Sequence, residues 1–216
     1  MPEAQLLVYG AGGHGRVVAD AAEQSGWIVS GFIDDRVSSG TVVGYRYRVL
    51  GNREWLGSQA RTYRICLGIG DNYIRRAVAL FVASLGFSIE SIVSPHAVIS
   101  PSARIGVGSV IFAGAVVNSM ASLGTGTIIN SGAIVEHDAI VGEFAHLSPR
   151  SALGGGAAVG DLTHVGMGCS ILPLIPIGSR SIVGAGSVVT RRVPDDVVAF
   201  GVPARVRRSV AAKQII

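Results

Sequence analysis

From Val93 to Val189 every sixth residue is Ile, Leu or Val, seventeen times in succession and without an insertion. Four residues after each of these positions the side chain is small, as at Ala97, Ser109, Thr127, Ala145, Cys169 and Ser187, and only Ile175 and Val193 break the rule. A six-residue unit with one large and one small inward residue cannot bury its own apolar group, so it must stack on copies of itself. The pattern predicts a parallel β-helix over residues 92–208, followed by a tail at 209–216. Burying that many aliphatic side chains at about 1.5–3 kcal/mol each supplies tens of kcal/mol before conformational entropy is subtracted.

Before residue 92 the periodicity changes. Leu6-Leu7-Val8-Tyr9 reads as a short buried strand, Arg16 to Gln24 as a helix, and the stretch ending in Phe32-Ile33-Asp34-Asp35 as a second strand. A third strand spans Tyr63 to Gly70; Asp71-Asn72 then caps an amphipathic helix from about Tyr73 to Leu85, and Ser88 to Val93 leads into the repeat. Alternating strands and helices predict a small Rossmann-like βαβ parallel sheet over residues 1–91, with ligands at the C-terminal ends of its strands. The fold expected is thus an α/β domain followed by a β-helix.

Composition narrows the class. The 216 residues are 49% hydrophobic and 15% charged, which suits a solenoid whose repeats are mostly internal. Gly, Ser, Asn and Asp interrupt the apolar residues every few positions, so no run of about 18 marks a membrane span, and nothing at the N-terminus reads as a signal peptide. Cys66 in an apolar run and Cys169 in a small inward slot read as core thiols of a reducing compartment, which points to the cytoplasm. The net charge of +4 includes a C-terminal group of Arg191, Arg192, Arg205, Arg207, Arg208 and Lys213. Without interleaved aromatics or a nucleic-acid motif it does not point to DNA or RNA.

Gly10, Gly12 and Gly15 match G-x-G-x-x-G between a strand and a helix, with Asp34 and Asp35 about where a ribose-binding carboxylate would lie. Glycines admit close backbone approach, and the helix N-terminus offers unpaired N–H groups to a phosphate. About ninety residues leave no room for a six-stranded dinucleotide fold, so a phosphorylated sugar or nucleotide suits the motif better than NAD. In the repeat, His146 and His164 are eighteen residues apart, whereas His137 is nine residues before His146. If three hexads make one turn, His146 and His164 stack about 4.8 Å apart and His137 lies half a turn away.

Five segments carry a resemblance. Gly-Ala-Gly-Gly-His-Gly at 10–15, Phe-Ile-Asp-Asp at 32–35, Gly-Ile-Gly-Asp-Asn at 68–72, Val-Glu-His-Asp-Ala-Ile-Val-Gly-Glu-Phe-Ala-His-Leu-Ser at 135–148 and Gly-Val-Pro-Ala-Arg at 201–205 together resemble the sialic-acid O-acetyltransferase and nucleotide-sugar N-acetyltransferase family. Each segment alone is common; their order is specific. The resemblance implies a left-handed coil, a homotrimer with active sites between subunits, acetyl-CoA as donor, and a role in bacterial surface-glycan synthesis. It assigns His137 as proton acceptor, Asp138 as the acid that raises its basicity, and Asn130 a place near the reacting group. His146, Met167 and Ala185 fall at acetyl-CoA positions; Gly12, Gly13, His14, Asp34, Asp35 and Gly70 fall at nucleotide-sugar positions. Relatives often carry Glu where this chain has Asp138.

The expected reaction is direct attack in a ternary complex, because neither cysteine lies beside a base in sequence. The preferred acceptor is a nucleotide-linked 4-amino-4,6-dideoxy sugar, with O-acetylation of sialic acid as the alternative. Two other classes share the architecture. A zinc carbonic anhydrase would use His137, His146 and His164, but the close histidine pair of such enzymes is missing, and no metal is expected. A non-catalytic trimeric scaffold leaves the Glu136-His137-Asp138 run without a purpose.

Overall fold

A computed structural model describes residues 5–59 and 61–210. The expected tail therefore lies outside the described residues from position 211, Lys213 included, while Ser209 closes the last strand. The N-terminal part opens with β1 (Gln5–Tyr9), α1 (Gly13–Gln24) and β2 (Ile28–Ile33). It continues through β3 (Val42–Val43), β4 (Tyr47–Gly51), α2 (Arg53–Ser58), β5 (Arg64–Leu67), α3 (Asn72–Ser84) and β6 (Ser88–Ile89). The sheet order is β3-β4-β2-β1-β5-β6, parallel throughout apart from the β3–β4 pair. β1 lies inside the sheet, and Leu6, Leu7, Val8 and Tyr9 are buried as their continuous apolar run requires. α1 begins within the glycine run, three residues before the expected start, so Gly12 becomes its N-cap without a capping side chain.

Two-residue strands follow at every sixth position, from β7 (Ile92–Val93) to β23 (Val188–Val189). Each pairs in parallel with the strand eighteen residues away, for example Val110 with Ile92 and with Ile128, so three hexads complete one coil. The second residue of each pair and the small residue four positions later point inward. Ile111, Ala115, Val117, Ala121, Leu147 and Cys169 are completely buried in one continuous core. Every sixth residue from Gly108 to Gly186 has φ between +52° and +72°, half of them glycine and half not, including Met120, Asp138, Phe144 and Leu162. Left-handed corners repeat at that interval because the chain must turn sharply after each short strand. An antiparallel pair, β24 (Val197–Gly201) and β25 (Ala204–Ser209), extends the first face beyond β22 (Ile182–Val183).

The two parts pack on each other. The outward residues Ile92, Val110 and Ile128 of the first prism face are fully buried with Val18, Ala19 and Ala22 of α1. The corner residues Phe144 and Leu162 join Ile65, Leu67 and Val78 in a second cluster. Further along that face the outward positions are His146, His164 and Ile182, where the N-terminal part no longer covers the sheet completely.

Candidate active site

The glycine loop divides its residues between packing and access. A Cβ on Gly15 would lie 1.8 Å from the Gly10 carbonyl oxygen, and one on Gly68 2.9 Å from that same oxygen. Gly10, Gly15 and Gly68 thus let the loop after β1 and the loop after β5 lie back to back. Gly12 has no neighbour within 4 Å of its Cβ position; at Gly13 the nearest atom is an Arg16 nitrogen at 3.7 Å and at Gly70 the nearest is His14 at 3.8 Å. This open edge meets the first turn of α1, whose N–H groups have no intrahelical acceptor.

Asp34 and Asp35 are engaged inside the protein. Asp34 accepts hydrogen bonds from the backbone N–H groups of Ala11, Arg36 and Val37, which joins the glycine loop to the loop after β2. Asp35 accepts from the Tyr9 hydroxyl and from the backbone and side chain of Arg53. Burial works against ionisation of Asp35, but the Arg53 and Tyr9 donors outweigh it and hold its carboxyl below the usual range. A hollow of about 350 Å³ opens beside them, bounded by residues 34–39, Leu50, Gly51, Asn52 and Trp55.

Across from the glycine loop stand the stacked histidines. His146 and His164 are register partners on β16 (His146–Leu147) and β19 (His164–Val165), with ring centroids 4.7 Å apart. The His14 ring lies 6.2 Å from that of His146 and meets Phe112 edge to face at 5.5 Å. Asn130 Nδ2 donates to His146 Nε2 at 3.1 Å, which fixes Nε2 as acceptor and puts the proton of the neutral ring on Nδ1. That Nδ1 is buried without a well-formed partner, the Gly70 carbonyl being near the ring but outside hydrogen-bond geometry. His14 Nε2 is also buried and unpartnered. Burial, then the neighbouring charge of Arg75, lowers His14 to about 4. Burial, then His164, Arg75 and His14, lowers His146 to about 3. Both rings are therefore neutral at ordinary pH and suited to hydrogen bonding rather than ion pairing.

Continuing along the same face, a groove of about 450 Å³ is lined by Ser148, His164, Met167, Ile182 and Ala185 among others. Met167 and Ala185 thus meet on one surface, with Met167 60% exposed. The Ser148 hydroxyl and His164 Nε2 are hydrogen-bonded at 2.8 Å at its edge.

His137 is elsewhere, on the corner between β14 (Ile134–Val135) and β15 (Ile140–Val141), away from the face that carries His146. Asp138 is that corner's left-handed residue, and its turn brings Oδ2 to 2.9 Å from His137 Nδ1. Glu136 instead accepts from Asn118 Nδ2 at 2.8 Å, so Asp138 alone of the two flanking acids orients the ring. Nδ1 donates to the carboxylate, leaving Nε2 as the acceptor for a proton. The ring lies over Gly155 of the next coil, where a Cβ would come within 2.6 Å of Nε2.

Residues 5–80 match the family described as the PglD N-terminal domain. A galactoside O-acetyltransferase of Lactococcus lactis subsp. lactis (strain IL1403) is 51% identical over 43 residues, which is 20% of this chain and only 21% of that protein's length. Whole-chain similarity comes from solved structures. PerB from Caulobacter crescentus, solved with CoA and GDP-perosamine, is 36% identical with a TM-score of 0.89, the match covering 94% of this chain and 97% of PerB. The chain belongs to the nucleotide-sugar N-acetyltransferase family. The acetyltransferase domain of PglB from Neisseria gonorrhoeae FA1090, solved with acetyl coenzyme A, is 37% identical with a TM-score of 0.90, covering 95% of this chain and all of that one (100%).

As a nucleotide-sugar N-acetyltransferase, the chain has the left-handed β-helix. No group of three or more His, Cys, Asp or Glu able to hold a metal ion occurs among the described residues, and none of their helices is long and apolar enough to cross a membrane. Sequence reasoning missed Asn52 and Trp55 in the hollow beside Asp35, because β3, β4 and α2 are too short to show periodicity. It also missed Gly155 beneath His137, for which the eighteen-residue register from His137 was the available signal.

Proposed function

We propose that this protein is an acetyl-CoA-dependent N-acetyltransferase acting on the amino group of a nucleotide-linked 4-amino-4,6-dideoxy sugar, in the cytoplasm, for bacterial surface-glycan synthesis. The observation that carries the reading is the His137–Asp138 pair, set at 2.9 Å on a prism corner within a chain that is 36% identical to PerB along nearly its whole length. PerB was solved with GDP-perosamine and CoA, a nucleotide-linked sugar and a spent acetyl carrier.

In this reading residues 1–91 hold the nucleotide sugar. Gly12, Gly13, His14 and Gly70 face it, while Asp34 and Asp35 shape the hollow beside it from within the loops they brace. Acetyl-CoA lies along the groove of Met167 and Ala185, with His146, kept in place by Asn130, at its inner end. His137 belongs to a different side of the prism, so the catalytic crevice forms between subunits of a homotrimer, with His137 of one chain facing His146 of its neighbour. The sugar amine attacks the thioester carbonyl carbon as His137 Nε2 takes its proton. The new C–N bond forms, the C–S bond breaks, and the proton passes to the departing CoA sulfur. Asp138 holds the proton on Nδ1 and stabilises the imidazolium that forms.

Thiol release from acetyl-CoA, measured with a panel of nucleotide-linked amino sugars, tests this. The wild-type protein turns over one or more of them, and His137→Ala loses about 10³-fold or more in kcat. Equal rates for the two proteins overturn the assignment.

A further inference from the structure

Arg75 is an arginine of α3 that is completely removed from solvent (0% exposed). Its guanidinium makes six hydrogen bonds, all to carbonyl or amide oxygens. Nη1 donates to the carbonyls of Ile69 and Gly70, at 3.1 and 3.2 Å. Nε donates to the Gly126 carbonyl at 2.8 Å, and Nη2 to those of Phe144 at 2.8 Å and Ala145 at 3.4 Å, and to Asn72 Oδ1 at 2.9 Å. Asn72 completes the pattern by donating to the carbonyls of Leu162 and Thr163. Residues 126, 144 and 162 are corners of three successive coils, each two residues before an outward position of the first face: Ile128, His146 and His164.

Burying a cation is costly, and that cost is offset here by six oxygen acceptors that an apolar side chain would leave unpaired in the interior. An arginine differs in presenting donors as a rigid fork in two directions at once. Here one arm grips the loop that carries Gly70 and contacts His14, and the other grips the backbone immediately before His146. We infer that Arg75 is a positioning residue that sets the distance between the acceptor-sugar loop and the strand presenting the acetyl-CoA histidine. This rests on the proposed roles of Gly70, His14 and His146. The location of the charge supports it, since the guanidinium adds to the burial that keeps His14 and His146 neutral.

The test uses the full chain with the nucleotide amino sugar that supports turnover. Arg75→Lys keeps the charge but cannot span both elements. Thermal shifts with CoA alone and with the nucleotide sugar alone are expected to stay near wild type, while kcat at saturation of both substrates falls roughly 10²-fold, the loss expected of an ångström-scale misplacement. Asn72→Ala, which leaves the guanidinium but removes one of its anchors, is expected to lose about 10-fold in kcat by the same effect. It serves in place of Arg75→Lys should that variant not fold. A folded Arg75→Lys with wild-type kcat, or an Asn72→Ala variant whose melting temperature falls while kcat stays unchanged, overturns the inference and leaves Arg75 a structural tie. His137→Ala, assayed in parallel, separates the two levels: its inactivity upholds the acetyltransferase reading whatever Arg75 does.

Discussion

Replacing Gly155 by alanine isolates the placement of the proposed base, His137, from everything else in the protein. The new Cβ would stand 2.6 Å from His137 Nε2 and 2.7 Å from Cε1. Ordinary contacts between such atoms are about 3.5 Å or more, so the ring must retreat by about 1 Å. Gly155 has no left-handed backbone geometry that alanine would strain, and the His137 side chain is 65% exposed, so it can swing aside without disturbing the core. Stability should change by no more than about 0.5 kcal/mol. Displacing a catalytic group by about 1 Å costs roughly 10²-fold in rate, or about 2.7 kcal/mol in the barrier. Steady-state kinetics and a thermal melt on the same preparation measure both quantities. A Gly155→Ala protein with wild-type kcat would show that the ring position over Gly155 is not the working one, and the proposed direction of proton transfer would go with it.

Asp138→Asn should keep the fold, because the pair it disrupts is about two-thirds exposed on each side, but should lower kcat by about 10² through loss of the tautomer and of imidazolium stabilisation; an unchanged pH–rate profile with full activity would contradict its role. Acid stability offers an independent check. His14 and His146, with folded-state values of about 4 and about 3, take up protons more readily when unfolded. They cost the fold nothing above about pH 6.5, and as pH falls toward the folded values the loss of stability grows, to about 2 kcal/mol for each at pH 5. Melting temperature should fall from pH 7 to pH 5, and His146→Gln should make the fall shallower; parallel curves would refute the buried neutral state. Dialysis against a chelator should leave turnover unchanged, and stoichiometric zinc with loss of activity on its removal would favour the carbonic anhydrase alternative.

The β-helix was readable because its period is rigid: one inward aliphatic every six residues, from Val93 onward, has only one way to be buried. Its corners were less so. Half carry glycine, but Met120, Phe144 and Leu162 adopt the same left-handed geometry without any local sign. The helix α3 was legible from its Asp71 cap and its apolar face, yet nothing in that pattern sets Arg75 apart from the other charged residues of the chain. Only the docking of α3 on three corner carbonyls makes it a buried residue. The aspartates after β2 line the hollow beside the glycine loop, and their further hydrogen bonds to Ala11, Tyr9 and Arg53 arise from loop contacts that spacing along the chain does not reveal.

The unbroken spacing of left-handed corners from Gly108 to Gly186 also limits how such a chain can change in length. Losing one residue within it would turn every later aliphatic outward, whereas an added or removed block of eighteen leaves each surviving rung in phase with its neighbours. Genes for proteins built this way should therefore tolerate duplication of whole turns, with other insertions confined to excursions that leave and rejoin at a single vertex.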